Sequence, residues 1–149
     1  MEDFNLYSRS LIEWDKAKIL VNSLDIHIKF MREALKEAMV AYKKDEVPVG
    51  SIVVMNNQII GRGHNQVIAR NSVIAHAEIL AMNSASNLLG NYRLKGATLY
   101  STLEPCHMCA KAIVDARIDK VFFAAAEPKT GALISVDSFF EQPHLNHKV

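Results

Sequence analysis

The apolar positions of this 149-residue chain change period as one reads along it. Over 25–44, Ile26, Phe30, Met31, Ala34, Leu35, Ala38, Met39 and Tyr42 recur at intervals of three and four. That spacing predicts an amphipathic helix with one buried stripe. Asp25 near its start and Lys43 and Lys44 at its end suit the helix dipole. The stretch "VGSIVVMNNQIIGRGHN" then reads as two strands, 49–55 and 58–63. Asn56-Asn57 joins them, a pair that tolerates the left-handed backbone of a tight hairpin.

Further on, a second helix is predicted over 74–88, a strand at "ATLYS" and a third helix opened by Pro105 and running to Arg117. "KVFFAAA" is the last predicted strand, and a short helix follows near 136–140. The order helix, hairpin, helix, strand, helix, strand implies an α/β fold with a mixed central sheet flanked by helices. Its later strands should be parallel, through right-handed crossovers. Residues 1–24 show weak periodicity and mixed polarity. They are read as an N-terminal extension of unknown role before a domain over 25–149: an added helix, a loose tail, or translation from a start upstream of Met31.

Half the residues are apolar and 22% are charged, which suits one soluble domain. No apolar run is long enough for a membrane span. Two cysteines and no recognisable export signal point to a reducing, cytoplasmic setting. The net charge of +1 does not advertise a nucleic-acid partner, although a local basic patch is compatible with it.

The cysteines decide more. Cys106 and Cys109 stand three apart at the start of the third predicted helix, where their sulfurs face one way and the helix dipole favours thiolates. His76 and Glu78 stand near the start of the second, two apart, so that one can face a metal while the other reaches the space beside it. A redox pair is disfavoured by the proline before the first cysteine. A structural zinc site would have to recruit a second histidine. His107 points off the cysteines' shared face, and His27, His144 and His147 lack partner spacing. Three ligands, His76, Cys106 and Cys109, with one open position match a catalytic zinc, and Glu78 would then serve as its proton carrier.

H-A-E at 76–78 with P-C-x-x-C at 105–109 resembles the signature of the zinc-dependent cytidine/deoxycytidylate deaminase superfamily. "DEVPVGSIVV", "GRGHN", "NYRLKGATLYSTLEPCHMCAKAIVDARI", "EPKTGA" and "LNHKV" sharpen the likeness towards its bacterial tRNA adenosine deaminase branch, from Phe30 to the last residue. The resemblance implies a three-layer fold, one Zn2+ per subunit on His76, Cys106 and Cys109, and a cytoplasmic homodimer. It implies conversion of adenosine to inosine at the wobble position, in the anticodon arm of an arginine tRNA. Hydroxide would attack C6 of a flipped adenine while Glu78 protonates N1 and then helps ammonia leave. Asn65 would hydrogen-bond the base, the N–H of Ala77 would meet it, and Val49 would wall the pocket.

The sequence departs from that family at three places. Ser72, Val73 and Ile74 stand where Asp-Pro-Thr is usual, so the loop into the second helix loses a proline and a cap. "KTGALIS" replaces a run of small residues. The family also continues through a fifth strand and a final helix, whereas this sequence reaches Val149 as that strand would begin. The expectation is a bare strand edge at 121–126, an uncovered ring at Phe122 or Phe123, lower stability and weaker tRNA affinity. Alternatives are a free nucleobase or nucleoside deaminase of cytosine or guanine type, and a non-catalytic zinc-stabilised subunit.

Overall fold

The structure, a computed structural model, describes the backbone of residues 3–149 and the side chains of residues 22–149. The chain forms two units, Met1–Phe30 and Met31–Val149. Helix α1 runs over Asp3–Lys43, well upstream of the predicted start at 25. Periodicity missed this because it reports burial, not helicity: residues 3–24 contain no glycine or proline to break a helix, and no clear apolar face. The first two residues of the predicted extension, and the side chains before residue 22, lie outside the described residues.

After α1 come β1 (Gly50–Met55), β2 (Gln58–His64), α2 (Ala77–Leu89), β3 (Thr98–Leu103), α3 (His107–Asp115), β4 (Lys120–Ala125) and a 3-10 turn at Phe139–Glu141. The sheet order is β2-β1-β3-β4. β1 is antiparallel to both β2 and β3, and β3 is parallel to β4. Asn56 and Asn57 both take positive φ in the hairpin turn, as their side chains allow. Gly90, in the left-handed conformation, ends α2. Among the described residues no helix is long and apolar enough to cross a membrane.

Backbone contact sets the layers. A Cβ on Gly50 would lie 2.1 Å from the Ala34 carbonyl oxygen, so the Met31–Lys43 part of α1 sits directly on one face of β1. On the other face, a Cβ on Gly61 or Gly63 would lie 2.3 Å from a backbone oxygen of α2. The register pairs Gly63 with Ser51 and Gly61 with Val53, the positions of β1 that alternate with Gly50, so α1 and α2 cover opposite faces. The core between the sheet and the α2–α3 layer is built from Val53, Met82, Leu94, Leu99, Ile113 and Ile118.

This close approach corrects the predicted stripe on α1. Ala34, Ala38 and Ala41 are buried, whereas Leu35, Met39 and Tyr42 are exposed. A helix resting on glycine buries its smallest residues, and its larger apolar side chains splay to the flanks. At β4, Phe122 and Phe123 are both half-buried, in place of the one uncovered ring expected. Phe122 stacks on Tyr100 with ring centres 5.2 Å apart, and Phe140 and Val149 pack against the core.

Candidate active site

Two helix starts make the floor of the site. His76 is the N-cap of α2 and Cys106 the N-cap of α3, both with extended backbone and neither spending its side chain on a cap hydrogen bond. Helix α2 therefore begins later than the predicted residue 74, and α3 begins after Pro105, not on it. Cys106 and Cys109 thus meet as N-cap and N3, the two positions that face each other in a capping box. The predicted helical i, i+3 face gives the right neighbours for a slightly different reason.

His76 Nδ1 lies 3.8 Å from Cys106 Sγ and 3.6 Å from Cys109 Sγ, and all three donor atoms fall within 4.8 Å of one another. Tetrahedral zinc with Zn–N of ~2.0–2.1 Å and Zn–S of ~2.3 Å needs N···S separations of about 3.6 Å. The donor set fits zinc. Three protein ligands leave one corner of the tetrahedron free, as in catalytic sites.

The local electrostatics favour a thiolate at Cys106 and a proton carrier at Glu78, while the contact with Cys106 pushes the Cys109 thiol up. A hydrogen bond from Cys109 leads in lowering the Cys106 thiol to about 3, with further help from His76. The contact with Cys106 raises the His76 imidazole. Glu78, the second residue of α2, is only 4% exposed, and burial pushes its carboxyl above the ordinary range. A carboxyl moved in that direction holds a proton more readily than an exposed one, as a proton carrier needs.

A cavity of about 380 Å³ opens over this floor and reaches Val49, Asn65, His76, Glu78 and Cys106. Its volume falls in the range of small-molecule sites, ~300–1,000 Å³. Asn65 is buried, and its N–H donates to the Val49 carbonyl across 3.1 Å, which joins two of the predicted substrate-binding residues. Ala77 and Cys109 are fully buried and stand outside the cavity lining. His107 is exposed, as expected, and faces Asp137 at 3.1 Å.

The sequence reading missed two buried carboxylates that shape the mouth. Glu46 accepts the N–H groups of Ile68 and Ala69 at 3.2 and 2.8 Å, so it pins the loop that carries Val67 and Ile68 into the lining. That loop also closes on itself, the Gln66 N–H donating to the Ala75 carbonyl and the Ala75 N–H to the Ser72 carbonyl. Glu104 accepts four backbone N–H groups and the Ser135 hydroxyl from the loop 127–135, which lends Glu127 and Thr130 to the lining. Burial pushes the Glu104 carboxyl up, but bonds from Ser135, Ile134 and Glu127 outweigh it and hold it at about 2. The one signal available was at Glu104, an acid without a charged neighbour in "TLEPC"; Glu46 sits in the charged run "KKDE" and gave none.

Residues 24–125 match the family model described as the cytidine and deoxycytidylate deaminase zinc-binding region. The tRNA-specific adenosine deaminase of Bacillus subtilis is 46% identical over 119 residues, 80% of this chain and 74% of its own length. That of Agrobacterium fabrum is 48% identical over 118 residues, 79% of this chain and 78% of its own. A solved structure from work on A-to-I editing by tRNA:A34 deaminases at the wobble position superposes with a TM-score of 0.78 at 47% identity, over 80% of this chain and 87% of that one. The guanine deaminase of Bacillus subtilis follows at 0.67 and 33%, over 83% and 82%.

Proposed function

The chain belongs to the cytidine and deoxycytidylate deaminase zinc-binding family, and from that premise we propose that it converts adenosine to inosine at the wobble position of tRNA by hydrolytic deamination. The observation that carries the chemistry is a buried glutamate, Glu78, beside one nitrogen and two sulfur donors at zinc-like separations. The substrate rests on likeness: the relatives named for tRNA adenosine are 46–48% identical, against 33% for the guanine deaminase.

In this reading His76 Nδ1 and the thiolates of Cys106 and Cys109 hold the metal. Zinc, when bound, supplies Lewis acidity that brings the pKa of water towards neutrality. Glu78 takes a proton from the attacking water and delivers it to N1 of the base. Glu78 then takes the remaining proton of the hydroxyl added at C6 and passes it to the amino group; as the C6–N6 bond breaks, C6 becomes a carbonyl carbon and the amine leaves as ammonia. Asn65 fixes the base edge and Val49 forms part of the wall, whereas Ala77, fully buried and outside the lining, is assigned no contact with the base. The base must leave its stack to place C6 within the cavity. The proposal extends to a cytoplasmic homodimer acting on an arginine tRNA, with the deaminase domain over 25–149 and an extension before it.

The test is an anticodon stem-loop RNA with adenosine at the wobble position, incubated with zinc-loaded protein beside Glu78→Ala. Inosine should form only with the intact glutamate. Turnover of free guanine or cytosine with none of the RNA would transfer the reading to the free-base class, to which the guanine deaminase also belongs. Full zinc occupancy with no turnover of any substrate would leave a non-catalytic subunit.

A further inference from the structure

We propose that Glu104 is a positioning residue for the substrate cavity, holding the loop 127–135 in the shape that presents Glu127 and Thr130 to the nucleotide. This inference rests on the proposed function for its substrate, and on geometry alone for the anchoring.

Glu104 is 2% exposed, and its two oxygens are divided among five donors. Oε1 accepts the N–H groups of Leu133, Ile134 and Ser135 at 3.0, 2.7 and 3.0 Å. Oε2 accepts the Glu127 N–H at 3.1 Å and the Ser135 hydroxyl. Every donor comes from one loop, more than twenty residues away in sequence, so the loop is wound around the carboxylate. Gly131 makes room for this: a Cβ there would lie 2.4 Å from Glu104 Cδ and Oε2. Two backbone ties complete the seat, from Ala132 N–H to the Pro105 carbonyl at 2.9 Å and a bridge between Cys106 and Gly131. Glu104, Glu127 and Thr130 line the same cavity as Asn65 and Glu78. The carboxylate supplies five of the hydrogen bonds that hold this loop, so its loss should loosen the loop's shape while the backbone ties at 131 and 132 remain.

Glu104→Gln is the sharp variant, because either oxygen replaced by NH2 would face at least two donors with a donor. Glu104 does not touch the reacting atoms, so the expected effect is on binding: KM for the stem-loop RNA rises at least tenfold while kcat stays within about threefold. Zinc remains at one per chain. Amide hydrogen exchange at Glu127 and at residues 133–135 accelerates at least tenfold, while exchange in α2 is unchanged. Gly131→Ala should reproduce the pattern and combine with Glu104→Gln non-additively, since both act on one contact. Ser135→Ala, which removes one donor from the loop surface, is the variant least able to disturb folding, and should raise KM about twofold to fivefold. Unchanged exchange at 127–135 in Glu104→Gln overturns the anchoring. Faster exchange with KM unchanged overturns the role in binding. Silence of the wild type on the RNA sinks the substrate assignment instead, and the exchange arm still decides for Glu104.

Discussion

The floor and the mouth of the cavity are built on different plans. The floor comes from two short motifs at helix starts, His76 with Glu78 and Cys106 with Cys109, each spanning a few residues. The mouth comes from loops held by carboxylates far off in sequence, Glu46 for the loop carrying Val67 and Ile68, and Glu104 for 127–135. At the floor, local backbone geometry sets the chemistry. At the mouth, long-range hydrogen bonds set a shape. The lesson is that damage to the floor should abolish turnover, whereas damage to the mouth should weaken binding and leave turnover of bound substrate largely intact.

The largest effect expected is at Glu78. Glu78→Gln should cut kcat by about 10²–10⁴-fold with zinc retained, the usual span for a lost general acid/base. Single-turnover inosine formation measures it, and a loss under tenfold would remove Glu78 from the proton path. Next, Cys109→Ser should lower zinc content well below one per chain and lower Tm with it, because the metal would bind the folded state. Metal analysis after dialysis decides this, and undiminished zinc would contradict the ligand set. Gly63→Ala links scaffold to floor. Its Cβ would lie 2.3 Å from the Ala77 oxygen, at the turn of α2 that carries Glu78, so about 1–3 kcal/mol of stability should be lost. Urea unfolding would show it, together with a fall in kcat, and a wild-type midpoint would mean that the helix has room to move. The smallest effect belongs to Glu46→Ala, with KM up about threefold to tenfold at near-constant kcat. Were kcat to collapse in that variant, the division between floor and mouth would not hold.

How much could be read beforehand follows the same division. The strand–turn–strand over 49–63 was legible because alternation and Asn56-Asn57 are local signals. The candidate metal donors were legible because each of their two motifs is short and its chemistry narrow, and folding brings the two together. Glu46 and Glu104 were not, since a buried carboxylate is recognised only by donors that folding brings to it. The packing of α1 was misread for a related reason. Hydrophobic size predicts burial only when side chains separate the elements, and here Gly50 removes the spacer. GRG at 61–63 could be quoted as a likeness before it had a cause. Its cause is the seating of α2 on β2, with Ala77 and Ala81 against Gly63, and Ala81 and Ala85 against Gly61.

The acids around the cavity carry a consequence for the field that an incoming polyanion meets. Glu46, Glu78, Glu104 and Glu127 all line it, and in the sequence they count as four negative charges. Burial drives Glu78 towards its neutral form. The charges of Glu46 and Glu104 are each met by inward-pointing amide dipoles, which cancel much of their potential beyond the loop. Glu127 is partly compensated by the Lys129 N–H at 2.9 Å. The repulsion felt by a phosphate chain at the rim is therefore much smaller than the formal count suggests, and the chain's nearly neutral total is no obstacle to an RNA ligand.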